Sequence, residues 1–229
     1  MVLIDTSLIR APGEARTFSA SASNQDRRNV FAMDSKQEML SAIRRCAVPQ
    51  SELPPLTGPW ITYPNPAQQL LEMVTSVGGR PVVVPDVAAA QADLQQFAPY
   101  TTAQRIFSKV AGIGDNNVNL DLVSDPHDLE DLDFAVLPGD FAVAENGAIW
   151  VTDRALQQRV VYFITQHLVL VVRSDQILDN LHQAYARLAF PEAGFGVFIS
   201  GPSKTADIEQ SLVVGAHGAR SLTVYVIGS

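Results

Sequence analysis

Gly78-Gly79-Arg80-Pro81-Val82-Val83-Val84-Pro85-Asp86 is the stretch on which the fold turns. A short apolar run lies between a glycine pair, which stops the preceding element, and an aspartate placed to start the next one. Upstream, Ala67 to Val77 reads as a helix, and downstream Asp86 to Phe97 reads as another. Helix, strand and helix in close succession predict a parallel sheet with crossover connections. Further strands are expected at Phe134 to Leu137, Phe141 to Ala144, Ala148 to Thr152, Val160 to Ile164, Leu168 to Val172, Gly196 to Ile199 and Leu222 to Ile227. The close spacing of the middle ones suggests hairpins. Helices are expected at Asp175 to Leu188 and Thr205 to Val214.

Before this region lie two segments of different character. Residues 1–34 have no sustained periodicity and read as an N-terminal arm. Residues 35–64 hold an amphipathic helix, Ser35 to Ala47, with Met39, Leu40 and Ile43 at helical spacing, and then a proline-rich connector containing Pro54-Pro55, Pro59 and Pro64. Residues 65–229 are the α/β domain. The arm is expected to be tied down by self-association, which makes a homo-oligomer the expected state.

The chain has 229 residues, 47% of them hydrophobic and 17% charged, a globular composition. Its formal charge of −8 argues against nucleic acid and anionic membranes as partners. The longest apolar run, Val160 to Val172, is broken by Gln166 and His167 and is shorter than the ~20 residues a membrane helix requires. No cationic segment leads into an apolar run at the N-terminus, so the expected location is the cytoplasm. Cys46 is the sole cysteine, so neither an internal disulfide nor a thiolate-held metal cluster is available to this chain alone.

The sharpest local pattern is Gly194-Phe195-Gly196-Val197-Phe198-Ile199-Ser200-Gly201-Pro202-Ser203-Lys204-Thr205-Ala206-Asp207-Ile208-Glu209: an apolar strand, a turn of small residues and an expected helix. Ligands of open α/β sheets sit beyond the carboxyl ends of strands. Ser203 and Thr205 hydroxyls, the Lys204 ammonium and free amides suit a phosphate or carboxylate. Asp207 and Glu209 suit a hydroxyl or the orientation of the loop. The plainer reading, in which Ser203 or Thr205 caps a helix and Asp207 complements its dipole, is equally open. Pro202 stands where a Walker A loop continues towards its Lys-Ser/Thr pair, and no Gly-x-Ser-x-Gly surrounds Ser203.

His217 lies between Gly215 and Gly218 in a turn before the last strand. Glu145 precedes the hairpin signal Asn146-Gly147, at a strand end where a nucleophile or base can be presented. The acidic run from Asp125 to Asp133 lacks the spacing and central glycine of a calcium loop, and His127, His167 and His182 are scattered, so no metal site is expected.

The segment Ile199 to Glu209, followed by Val213-Val214-Gly215-Ala216-His217-Gly218, resembles the closing signature of the lactate utilisation protein C family, the LUD domain. The resemblance extends upstream through Asp133 and from Asp140 to Trp150, where the family usually has Ala-Glu-Thr-Gly and this chain has Ala144-Glu145-Asn146-Gly147. It implies an open, mostly parallel sheet of the sugar-phosphate isomerase and CoA-transferase type. It also implies an accessory role in oxidising L-lactate to pyruvate, with iron–sulfur clusters on partner subunits and no cofactor in this chain. Glu145-Asn146-Gly147 is similar in addition to the Ser-Glu-Asn-Gly element of CoA transferases, in which the glutamate attacks an acyl-CoA; here Ala144 replaces the serine and the early glycine-rich CoA loop is absent. A non-catalytic assembly scaffold is the third reading. The expected binding set is Gly201, Pro202, Ser203, Lys204, Thr205, Asp207, Glu209, Gly215 and Gly218, with Glu145 and His217 handling protons.

Overall fold

The computed structural model describes residues 2–5, 26–46, 52, 57–188, 194–205 and 213–228. The chain divides into two compact units, one formed by Met1–Ile9 with Trp60–Ser229 and the other by Arg10–Pro59. In the main unit, chain order begins with strand β1 (Val2–Asp5), in a segment whose sequence reads as an arm. The smaller unit holds helix α1 (Asp26–Arg45), which extends upstream of the expected start at Ser35 through a stretch free of glycine and proline. Its Met39 and Ile43 are exposed.

From Pro66 the expected alternation is present: α2 (Pro66–Ser76), β2 (Arg80–Val84) and α3 (Val87–Leu94). Both helices start on side-chain caps, Asn65 accepting from the Gln68 amide and Asp86 from the Ala89 amide. There follow α4 (Ala98–Thr101), β3 (Ile106–Ser108), β4 (Phe134–Pro138), β5 (Phe141–Val143) and β6 (Ala148–Thr152). Next come α5 (Val161–Ile164), β7 (His167–Arg173), β8 (Ile177–Leu178) and α6 (Leu181–Arg187). The chain finishes with β9 (Phe195–Ile199), β10 (Lys204–Thr205), β11 (Val213–Val214) and β12 (Ser221–Ile227).

The parallel sheet has the order β2-β12-β7-β4-β3, with every pairing parallel. The sequence does not announce a second sheet, ordered β1-β9-β6-β5-β8, in which only β5 and β8 run parallel. Period-two alternation assigns each strand's side chains to two layers. Ala135 and Leu137 of β4, Leu168 and Leu170 of β7, Leu222, Val224 and Val226 of β12 fill one core with Ile149 and Val151 of β6 and Val197 and Ile199 of β9. That core therefore lies between the sheets. Phe134, Val136, Val169 and Tyr225 point the other way and pack with Ala90 and Leu94 of α3. On the far side of the second sheet, Phe141, Trp150 and Phe198 pack with Ala184 of α6.

Three expectations are corrected. Val160 to Ile164 is not a strand: Val161–Ile164 is a single helical turn that buries Val161 and Tyr162 in the inter-sheet core, so packing overrides β-branched propensity. The helix expected from Asp175 begins at Leu181, capped by Asn180, because Ile177–Leu178 is taken up by pairing with β5. Thr205 to Val214 is not one helix: Lys204–Thr205 and Val213–Val214 pair as an antiparallel ribbon. Residues 206–212 lie outside the described residues, and Asp207 and Glu209 with them.

A polar brace ties α3 to the parallel sheet. Asp93 accepts from Arg80 Nη2 at 2.8 Å and from the Tyr225 hydroxyl at 2.6 Å, and the Arg80 guanidinium lies 4.9 Å from the centre of the Phe97 ring. The hydrogen bond from Arg80 holds the Asp93 carboxyl below its ordinary range. A depressed carboxylate stabilises the fold above its unfolded-state pKa, and that contribution is lost as pH falls through the lower folded value. Asp93→Asn is therefore expected to cost about 1–3 kcal/mol near neutrality, and chemical denaturation at falling pH should show the difference from the native chain shrinking on acidification.

Candidate functional site

Two of the chain's passages between the sheets frame the expected site. The first passage follows β4. Gly139 N–H donates to Val171 O of the parallel sheet at 2.8 Å, and the next amide, Asp140 N–H, donates to Trp150 O of the second sheet at 2.9 Å. A β-carbon at position 139 would lie 2.4 Å from Ile149 Cγ2, so a side chain there would force the sheets apart. Asp140 Oδ2 accepts from Thr152 Oγ1 at 3.2 Å, and the Tyr162 hydroxyl donates to Thr152 O at 3.0 Å. Burial, reinforced by the Asp140 and Asp153 carboxylates, pushes the Tyr162 hydroxyl far up, so it stays protonated.

The second passage leads from β9 to β12 and contains the expected binding loop. Ser203 N–H donates to Ala219 O and Gly215 N–H to Ser203 O, both at 2.9 Å, so residues 201–205 and 213–219 interlock. Gly218 is packed against the Ser203 side chain: a β-carbon there would lie 3.2 Å from Ser203 Cβ. Gly215 lies beneath the stem of Arg220. Pro202 is buried, Ser203 and Thr205 are half-buried, and Lys204 and His217 are exposed.

The last turn of α2 is the shelf on which this strap rests. Gly201, at φ +72, brings its backbone so close that a β-carbon would lie 2.6 Å from Val77 O. A methyl built on Gly78 would lie 3.4 Å from Lys204 Nζ, which sets the ammonium beside the carboxyl end of α2, where the helix dipole favours a cation. The hairpin turn meets the same helix, with Gly147 against Met73 and Val74, and Ser200 Oγ donates to Asn146 O at 2.8 Å. The structure thus brings the Glu145–Gly147 turn, the 201–205 loop and the Gly215–Gly218 loop to one region.

It does not leave all their side chains free. Glu145 Oε2 accepts from the Leu181 amide at 2.9 Å, so the carboxylate anchors the start of α6. Strand orientation also differs from expectation. Ser200 follows the carboxyl end of β9, but β9 belongs to the second sheet, and the strap arrives at the amino ends of β12 and β7, where Arg220 N–H donates to Gln166 O at 2.8 Å.

Two features went unread in the sequence. At the base of the strap, His167 Nδ1 lies 2.8 Å from Ser221 Oγ, and burial with the Arg220 charge pushes the imidazole below its ordinary value. Only the parallel register Ser221↔His167 makes neighbours of these residues. The second is a cleft of about 520 Å³ beside the end of β3, lined by Phe107 and Ser108 of that strand, residues following it, and Leu156 and Gln157. Among the described residues no group of His, Cys, Asp and Glu has a metal-holding arrangement, and no helix is long and apolar enough to cross a membrane.

Residues 126–227 match the sequence model of the LUD domain family. The lactate utilization protein C of Geobacillus thermodenitrificans is 27% identical over 213 residues, covering 86% of this chain and 82% of that protein. Its namesake in Geobacillus kaustophilus is 25% identical over 233 residues, covering 95% and 90%. A DUF162 family protein from Deinococcus radiodurans has a crystal structure similar to this fold, with a TM-score of 0.52 at 20% identity over 71% of this chain and 96% of that one.

The close approach at Gly201 gives a direct test of the strap's support. Gly201→Ala combines a left-handed backbone with a clash against Val77 O, and it is expected to destabilise by about 1–3 kcal/mol. Hydrogen exchange should show that loss as faster exchange across 201–205 and 213–219; unchanged exchange there would mean that the strap does not depend on α2.

Proposed function

We propose that this chain, a LUD-domain relative of lactate utilization protein C, serves lactate utilisation as an accessory subunit that binds a small carboxylate at the strap between β9 and β12. The observation that carries the reading is the interlocking of the 201–205 and 213–219 loops inside the matched region 126–227. Lys204 and Arg220 are exposed cations on these loops in a chain of net charge −8, so an anion attracted to this face is held by local charge. In this reading Lys204 pairs with the carboxylate, Ser203 and Thr205 supply hydroxyl donors, Gly201, Pro202, Gly215 and Gly218 shape the floor, and Asp207 and Glu209 orient the loop or a substrate hydroxyl. His217 takes the proton-handling role in this reading, while Glu145 positions the adjoining turn.

The single cysteine, Cys46, fits a division of labour in which electrons pass through iron–sulfur clusters on partner subunits and this chain contributes binding and assembly. Self-association and a cytoplasmic setting belong to the same proposal.

Complementation tests it. In a host lacking its own copy, the native chain should restore growth on L-lactate, and Lys204→Ala should restore it poorly while weakening L-lactate or pyruvate binding by at least about tenfold, as expected for a lost charged hydrogen bond. Native growth and native affinity in that variant would overturn the assignment.

A further inference from the structure

The cleft of about 520 Å³ beyond β3 lies at the opposite end of the parallel sheet from the strap. β3 ends at Ser108, and Lys109 N–H donates to Val136 O of β4 at 2.9 Å, so the cleft lies at the carboxyl end of β3, the edge strand of the parallel sheet. This is the end at which open α/β sheets receive ligands. Its size falls within the ~300–1,000 Å³ typical of small-molecule sites.

Both walls are pinned. Asn117 Oδ1 accepts from Ile106 N–H at 2.8 Å while its Nδ2 donates to Gln104 O at 2.7 Å, which staples one wall to β3. Gln158 Nε2 donates to Val123 O at 3.1 Å and ties the other wall, Leu156–Gln158, to the turn after Leu120–Leu122. Preorganised walls spare a ligand the entropy of ordering them.

The lining separates into two kinds of surface. Phe107, Val118, Leu120 and Leu156 are buried apolar residues. Lys109, Asn116, Asp121 and Gln157 are exposed around the opening, and Lys109 is the one cation of the lining. Among the described residues Lys109 forms no ion pair. Carboxamides donate and accept at once, which matches hydroxyl groups; a lone ammonium matches one acidic group; and the apolar floor takes a carbon skeleton.

We propose that this cleft is a second binding site, for a small polyhydroxylated molecule carrying a single terminal anionic group, with Lys109 pairing with the anion and Asn116, Asp121 and Gln157 reading the hydroxyls. It is independent of the strap, because no residue is shared between them. Isothermal titration of the full chain with gluconate, glucose 6-phosphate and sorbitol tests it. Gluconate or glucose 6-phosphate should bind, the preferred one telling whether the anion is a carboxylate or a phosphate. Sorbitol should bind at least about tenfold more weakly, and Lys109→Ala should abolish that preference with an unchanged unfolding midpoint. Lys204→Ala should leave this binding intact even where it impairs growth on lactate. No binding of either acid, equal binding of sorbitol, or loss of binding in Lys204→Ala but not in Lys109→Ala would each overturn the assignment.

Discussion

Two consecutive amides commit the chain to two sheets. Gly139 bonds to β7 and Asp140 to β6, and the absence of a side chain at 139 lets Ile149 reach the inter-sheet core. The rest of the arrangement depends on that corner. β4 completes its place in the parallel sheet, β5 opens the second one, and Leu137, Ala142, Ala144 and Ile149 share the layer between the sheets. The strap from β9 to β12 spans the same two sheets in the return direction, so the candidate loop is held at both ends by buried strands: β9 buries Val197 and Ile199, and β12 buries five successive residues from Leu222 to Val226. Suspended between two rigid elements and rested on the end of α2, the described parts of the strap keep their polar groups in fixed relation.

β12 adds a second dependence. The last strand of the chain lies inside the parallel sheet, between β2 and β7, so β2 has no neighbour until the C-terminal residues are in place. Pairings this distant in sequence carry a large loop-closure cost before they stabilise anything. The Arg80–Asp93–Tyr225 brace then joins β2, α3 and β12 at one point, which couples the helical face to the last strand.

The features legible in the sequence were those that local physics determines. The strands β2, β4 to β7, β9 and β12 announce themselves as apolar runs, and Asn65 and Asp86 start their helices as caps. The Asn146-Gly147 turn gives the β5–β6 hairpin. Features set by partners far along the chain could not be read in this way. Val161 and Tyr162 have strand-like composition yet pack as a helical turn, and the Lys204–Thr205 ribbon exists only because Val213–Val214 returns to it. The candidate loop was legible as an unusual run of small and charged residues, and its neighbours Glu145, Gly215 and Gly218 prove to share its region. That Glu145 anchors α6 was not legible, since Leu181 is its partner only through the β5–β8 pairing. The cleft beyond β3 was equally hidden, being assembled from residues 107–109, 116–121 and 156–157, which are far apart in sequence and carry no motif.

The proposed meeting point of a small carboxylate with this chain is the strap between the two sheets. Hydrogen exchange of the full chain with and without saturating L-lactate or pyruvate measures this residue by residue. Carboxylate binding there should slow exchange only in residues 200–205, 213–219 and the last turn of α2. Exchange that is unchanged there, or slowed only elsewhere in the fold, would contradict it.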